Sequence, residues 1–157
     1  MKAASWVVLI TIAACAAAVA RQPTDLDGRK TPSGRVVYDF IQLMWNERQP
    51  EAAFDKYVSR TDYHNRYAGG PAITEKAMHN GFAEERENEA KVVKSMPAGR
   101  RFEINKLFAQ GDQVFVEVHA TGGRDGPGGL VWMLFRVKDG KIVEHADLHG
   151  QMSDLAM

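Results

Sequence analysis

Two histidines and one aspartate alternate near the end of the chain. His145, Asp147 and His149 lie two residues apart in a segment, 141–149, that has the alternating pattern of a β-strand. Because alternate residues of a strand face the same side of a sheet, we expect them to share a face with Val143. A carboxylate beside imidazoles in an apolar cavity is suited to general acid–base catalysis, since burial raises the carboxyl pKa. Asp147 is therefore the first candidate for a catalytic residue.

Two other histidines are candidates for the group opposite Asp147. His64 lies in the irregular stretch after the second predicted helix. His119 lies on a predicted strand, on a mixed face that also carries Phe115 and Glu117. We expect one of the two histidines to exchange protons with Asp147. A surface or packing role for each histidine stays open, since the ring has a polar tip on an apolar body.

The sequence predicts neither a metal nor a cofactor. The five histidines do not have the spacing typical of zinc sites, and Cys15 is the one cysteine. Residues 21–157 can therefore form no disulfide and hold no thiol nucleophile. The glycine-rich stretch 122–129 joins two antiparallel strands with no helix after it, so it is predicted to be a hairpin loop and not a phosphate-binding loop.

The charge balance argues for a small-molecule partner. Lysine plus arginine and aspartate plus glutamate number 20 each, so the chain has no net charge. A field that attracts nucleic acid or anionic lipid is not expected from such a balance. We predict a small-molecule ligand or substrate and no nucleic acid.

The first residues predict export. One lysine precedes the apolar run 6–14, which is too short to span a bilayer and is typical of a signal-peptide core. Residues 18–20 form a small-x-small cleavage site, so residues 1–20 can be a signal peptide. Residues 12–15 instead have the form of a lipobox, which would make 1–14 a lipoprotein signal before a lipidated Cys15. Either reading predicts a periplasmic or secreted protein that touches a membrane only through its leader or a lipid anchor.

Helices precede strands in the predicted domain. Residues 21–31 have the composition of a linker, and residues 32–157 form the domain. Thr31 and Pro32 predict the start of a first helix over 32–46, and Pro50 that of a second. A third helix is predicted from about residue 72 to 89, with residues 84–87 on a solvated face.

The pattern changes to a period of two after residue 91. Strands are predicted over 102–109, 114–121, 130–137 and 141–149, and Asp139-Gly140 predicts a tight hairpin turn. Helices followed by a meander predict an α+β fold in which the N-terminal helices cover one face of a curved, mainly antiparallel sheet. A cavity is expected between the two layers.

Three segments resemble SnoaL-like proteins, which belong to the nuclear transport factor 2 superfamily. Residues 130–147 resemble the family's last hairpin, residues 63–65 resemble its Y-x-x-H-N segment, and residues 116–119 resemble its V-x-V-H strand. The resemblance implies a cone-shaped, half-open barrel. It leaves the reaction open, because that superfamily includes polyketide cyclases, ketosteroid isomerase, epoxide hydrolases, dehydratases and non-catalytic binding domains.

The chain departs from the family pattern at two positions. Met133 stands where the family often has an aspartate, which removes a polar group from the pocket. Ala146 stands where it often has a tryptophan, which is expected to reshape a wall. The predicted catalytic residues are Asp147, His119 and His64, and the predicted ligand-binding residues are Tyr63, Asn65, Trp132, Met133, Phe135 and His145.

Three functions remain open from the sequence. One is a cofactor-independent enzyme that carries out aldol-type cyclisation or isomerisation of a small, mostly apolar substrate. The second is a periplasmic module that binds a hydrophobic ligand without converting it. The third is a structural partner in an envelope complex, and a homodimer is expected in each case.

Overall fold

The computed structural model describes residues 28–65, 81–122 and 129–148. The predicted leader with Cys15, most of the predicted linker, the first part of the predicted third helix, and His149 lie outside these ranges. None of the helices in the described ranges is long and apolar enough to cross a bilayer. The elements, in chain order, are a short 3-10 turn (Gly28–Lys30), α1 (Pro32–Ile41), a π-helical segment (Gln42–Asn46), α2 (Pro50–Tyr57), β1 (His64–Asn65), α3 (Phe82–Ser95), β2 (Arg101–Gln110), β3 (Gln113–Thr121), β4 (Gly129–Lys138) and β5 (Lys141–Leu148).

The first helix begins as the sequence predicts. The side chain of Thr31 accepts a hydrogen bond from the backbone N–H of Gly34 at 3.0 Å, and Pro32 occupies the first helical turn. The helical stretch reaches Asn46, but its last part widens into a π-helix that is closed by the N–H of Glu47 donating to the carbonyl of Gln42. The apolar stripe of this stretch is buried in the core and comprises Val37, Phe40, Ile41, Met44 and Trp45.

Five strands form one mixed sheet in the order β1-β5-β4-β3-β2. The four long strands make an antiparallel meander, and the short β1 pairs parallel to β5. The hairpin between β4 and β5 turns through Asp139 and Gly140, both of which have positive φ, as such a turn requires. The predicted α+β architecture is confirmed, with three helices packed on a sheet that does not close.

Each long strand has one face toward the helices. The inner face of β3 carries Val114, Val116 and Val118, all fully buried. Helix α1 covers this face. Phe54 of α2 makes edge-to-face contacts with the rings of Phe40, Tyr63 and Phe82. The core therefore lies between the helices and the inner face of the sheet.

A register shift changes the predicted pattern of β5. The pairing steps from Arg136–Glu144 to Val137–Ile142, which leaves one extra residue on β5. Ile142 therefore joins Val137 in the hydrophobic core, in the place that strict alternation predicts for Val143. The bulge lies before His145, so the alternation from His145 to Asp147 is unaffected.

The third helix differs from its prediction. It continues to Ser95, beyond the predicted end at residue 89, because Val93 is buried and extends the packed face. The prediction that residues 84–87 all lie on a solvated face is wrong for Glu85, which is only 6% exposed. Phe82, Glu85, Glu89 and Val93 follow helical spacing along one side of α3.

Candidate functional site

An imidazole and a carboxylate lie together on the inner face of β5. Nε2 of the buried His145 is 2.8 Å from Oδ1 of Asp147, as expected for residues two apart on one strand. The ring of His145 stacks on Phe135 of β4, with the centroids 4.5 Å apart and the planes nearly parallel. Met133 is the cross-strand partner of Asp147 and is fully buried. The pair therefore lies against apolar side chains of β4.

The surroundings of His145 favour its charged form. Burial alone lowers the pKa of an imidazole, because the cation loses its hydration. The charge of Asp147, whose Oδ1 is 2.8 Å away, acts in the opposite direction, and the charges of Glu89 and Glu85 add to its effect. The net result is a pKa of His145 above its ordinary value. The contact with Asp147 therefore favours an ion pair between the two side chains.

Helix α3 brings two more carboxylates to this region. Oε1 of Glu85 accepts a hydrogen bond from Nδ2 of Asn65 at 2.5 Å. Glu89 lies one turn further along α3, where Trp45 favours its charged form. Burial raises the pKa of Glu89 to about 7; the charge of His145 and the Trp45 hydrogen bond oppose the rise, and two neighbouring carboxylates add to it. Glu89 is therefore a carboxyl group that exchanges protons near neutral pH.

Tyr63 and Asn65 complete the cluster. Both are buried, and the pKa of Tyr63 is raised well above its ordinary value by burial and then by Glu85, Glu89 and Asp147. Tyr63 therefore stays protonated and can donate a hydrogen bond. Within the described ranges, Oδ1 of Asn65 accepts no hydrogen bond. The cluster thus presents one permanent donor and one available acceptor beside its proton-exchanging groups.

The sequence prediction missed three members of this cluster, namely Trp45, Glu85 and Glu89. A signal for the two glutamates was present, since they follow Phe82 at helical spacing and precede Val93 on the same side of the helix. The acidic run 84–87 concealed this signal, because most of such a run is solvated. Trp45 gave no signal, because its contact with Glu89 joins two distant segments.

Two predicted residues lie on the other side of the sheet. His119 alternates with Val118 and Ala120, which are buried on the inner face, so its side chain is on the outer face. The indole of Trp132 donates to Glu117 at 3.1 Å, also on the outer face. The structure therefore brings neither His119 nor Trp132 together with Asp147. Each is the immediate neighbour, along its own strand, of a residue on the inner face, so its side chain lies on the opposite face.

Two further residues also lie away from the cluster. His64 is exposed, whereas its neighbours Tyr63 and Asn65 are buried. Ala146 pairs with Leu134, which is 39% exposed on the outer face. The expected effect of Ala146 on a cavity wall is thus wrong, because its side chain points away from the inner face. Of the predicted site residues, the structure brings Asp147, His145, Tyr63, Asn65, Met133 and Phe135 together.

The described residues include no group of three histidine, cysteine or acidic side chains arranged to hold a metal ion. A surface groove of about 360 Å³ lies elsewhere, between the α1–π stretch and β2. The groove shares no residue with the cluster around Asp147.

The chain belongs to the SnoaL-like family. The SnoaL-like domain matches residues 37–145, which include most of the described helices and strands. The resemblance inferred from the sequence is therefore confirmed. No curated protein matches the chain.

Solved structures agree on the fold. An NTF2-like protein from Mesorhizobium loti is 20% identical, with a TM-score of 0.61 over 78% of this chain and 94% of its own. A candidate SnoaL-like polyketide cyclase from Jannaschia is 15% identical, with a TM-score of 0.60 over 80% and 90%. An LEH-like epoxide hydrolase from M. tuberculosis is 20% identical, with a TM-score of 0.57 over 74% and 81%. At these identities the likeness establishes the nuclear transport factor 2-like fold and not the reaction.

The raised pKa of Glu89 predicts a pH-dependent effect of Glu89→Gln on stability. The folded protein binds this proton more tightly than the unfolded chain, so its contribution is complete below about pH 4.5 and is lost as the pH rises to about 7. Glutamine does not ionise, so the variant does not lose this contribution to the free energy of unfolding. Relative to wild type, we expect the variant to gain about 2 kcal/mol of unfolding free energy between about pH 5 and pH 8.

Urea unfolding at the two pH values measures this difference. Glu87→Gln is the matched control, because Glu87 is on the same helix and is exposed. An effect of Glu89→Gln that is the same at both pH values contradicts the assigned pKa.

Proposed function

We propose that this protein is a cofactor-independent acid–base catalyst that acts on a small, mostly apolar molecule. SnoaL-like and nuclear transport factor 2-like domains bind small-molecule ligands or substrates. The observation that carries the proposal is the buried ion pair of His145 and Asp147, 2.8 Å apart on the inner face. Ionisable groups are costly to bury, and their concentration in one place is typical of a site that needs shifted pKa values.

The exposures of the two side chains suggest their roles. The side chain of Asp147 is 17% exposed, whereas that of His145 is 4% exposed. Asp147 is therefore the group that reaches a substrate, and His145 lies behind it. We assign Asp147 as the general base that removes a proton from carbon, and His145 as the residue that orients and charge-balances it. An aldol-type cyclisation or an isomerisation requires this step.

Other members of the cluster fit the same reaction. Removal of a proton next to a carbonyl creates an oxyanion, which a preorganised donor stabilises. Tyr63 keeps its proton in this environment and would supply such a donor. Met133 and Phe135, the cross-strand neighbours of Asp147 and His145, would keep the surroundings of these two groups apolar.

Asp147→Asn tests the assignment. The probe is nitrobenzisoxazole, whose ring opens to a cyanophenolate when a base removes its carbon-bound proton. Because asparagine has the same shape but is not a base, we expect kcat/KM for the probe to fall by about 100-fold. Asp139→Asn is the control, because Asp139 is exposed at the other end of the same hairpin.

Unchanged turnover by a folded Asp147→Asn variant would overturn the catalytic assignment. The second function, binding without conversion, is favoured by one observation: Met133 is fully buried and apolar beside Asp147, where the family often has a second acid. It predicts that native mass spectrometry of the purified protein detects a retained apolar ligand, and that Asp147→Asn leaves this retention unchanged.

We further propose a homodimer formed through the outer face of the sheet. An apolar row crosses four strands in register and comprises Ala146, Leu134, Phe115 and Phe108. Ion pairs flank the row, between Arg136 and Glu144 on one side and between Lys106 and Glu117 on the other. A two-fold axis would place each row against its copy, and the flanking charges of both signs suit a self-complementary interface.

Phe115→Glu tests this interface. A buried unpaired carboxylate costs several kcal/mol, so we expect the variant to sediment as a monomer at concentrations where wild type is a dimer. Gln113→Glu is the control, because Gln113 is exposed on the same strand two residues away. A wild-type protein that sediments as a monomer, or a dimer that survives Phe115→Glu, contradicts the proposal.

We also propose that the chain is exported, on the basis of the apolar run 6–14 behind a single lysine. The mass of the mature protein made in a Gram-negative host tests this. A chain beginning at residue 21 indicates a cleaved signal peptide, and a chain beginning at a diacylated Cys15 indicates a lipoprotein. An uncleaved chain recovered from the cytosol contradicts export.

A further inference from the structure

Glu89 faces the same region as Asp147 but belongs to a different layer of the fold. Asp147 is on β5, whereas Glu89 is on α3. Glu89 lies one turn along α3 from Glu85, whose Oε1 is 2.5 Å from Nδ2 of Asn65, and Asn65 pairs with His145 on β5. The charge of Glu89 also acts on His145 and Tyr63. A carboxylate on the sheet and a carboxyl on the helix thus lie near one buried imidazole.

We propose that Glu89 is the proton donor of the site and completes the reaction that Asp147 begins. This inference rests on the proposed function and assigns to each carboxyl one half of a proton transfer. It also restricts the substrate class. The substrate has a carbon-bound proton made acidic by a carbonyl, and a second group whose oxygen gains a proton during the reaction.

The environment of Glu89 fits a donor. A general acid needs a pKa near the working pH, so that it holds a proton and can still release it. The pKa of Glu89 is about 7, because burial is opposed by His145 and by the Trp45 hydrogen bond and reinforced by the negative charges of Glu85 and Asp147. By contrast, Asp147 has its cationic partner at 2.8 Å. The two carboxyls are therefore suited to opposite protonation states at the start of the reaction, with Glu89 protonated and Asp147 ionised.

In an aldol-type cyclisation the atoms balance with these two groups. Asp147 takes the proton from carbon, and the resulting enolate carbon forms a bond to a second carbonyl carbon of the same molecule. The π electrons of that carbonyl move to its oxygen, and Glu89 donates its proton there. The product is an isomer of the substrate, so no co-reactant is consumed.

His145 offers a route for resetting the site. After turnover Asp147 holds a proton and Glu89 has lost one. The imidazole is in contact with Asp147, and its charge interacts with that of Glu89. An imidazole exchanges protons through either of its nitrogens. A charged His145 would therefore first release a proton to Glu89 and then take the proton from Asp147, which returns all three groups to their starting states.

The test compares two probes that differ in how much they need a proton donor. Nitrobenzisoxazole opens to a stable phenolate, whereas unsubstituted benzisoxazole opens to a more basic one. In both, a base removes the carbon-bound proton, the nitrogen–oxygen bond breaks and a nitrile forms. Only the more basic oxygen of the unsubstituted probe then calls for a proton donor. We expect Glu89→Gln to slow the unsubstituted probe about tenfold more than the nitro probe. Glu87→Gln, an exposed change on the same helix, is expected to slow neither.

The pH profile gives an independent readout. Wild-type turnover of the unsubstituted probe should decline above about pH 7, where Glu89 loses its proton, and this decline should be absent in Glu89→Gln. Trp45 acts as a positioning residue whose hydrogen bond lowers the pKa of Glu89. Trp45→Phe should therefore move the decline to higher pH.

The outcomes separate this inference from the proposed function. Loss of activity in Asp147→Asn, with equal effects of Glu89→Gln on both probes and an unchanged pH profile, overturns the role of Glu89 alone. Full activity in Asp147→Asn overturns the proposed function itself. If turnover by Trp45→Phe declines at the same pH as turnover by wild type, the role of Glu89 is also contradicted. The pKa of Glu89, which Trp45 lowers, would then not set the pH of the decline.

Discussion

The burial of ionisable side chains between α3 and β5 is the constraint on which the rest of the site depends. An isolated charge in such a place costs several kcal/mol, so each group must find a partner or become neutral. His145 and Asp147 pair at 2.8 Å, Glu85 accepts a hydrogen bond from the amide of Asn65, and Trp45 favours the charged form of Glu89. Burial raises the pKa of Glu89 against the opposing charge of His145, and the neighbouring carboxylates Glu85 and Asp147 add to the rise.

The irregular parts of the fold position these partners. The π-helical segment Gln42–Asn46 contains Trp45, whose ring stacks on Phe102 while its indole reaches Glu89. The bulge in β5 keeps Ile142 in the core without disturbing the alternation that unites His145 and Asp147. Local departures from regular geometry are common at functional sites, since they direct particular side chains without changing the surrounding elements.

The two faces of the sheet serve different purposes. The inner face combines aliphatic packing with the acid–base cluster at one end. The outer face carries the apolar row that includes Leu134 and Phe115, bordered by ion pairs. A one-residue difference along a strand decides between the two faces, which is why His119 and Trp132 are separated from Asp147 although their segments are adjacent in the sheet.

The sequence by itself determined the order of elements, the tight turn at Asp139-Gly140, the family, and the pairing of His145 with Asp147, because each depends on residues close together in the chain. It did not determine the roles of Glu85 and Glu89, whose acidic neighbours have the pattern of a solvated helix. Nor did it determine which face His119 would occupy, since a mixed strand pattern fits either side. Only the tertiary structure decided these points, because burial and pKa depend on which distant segments pack together.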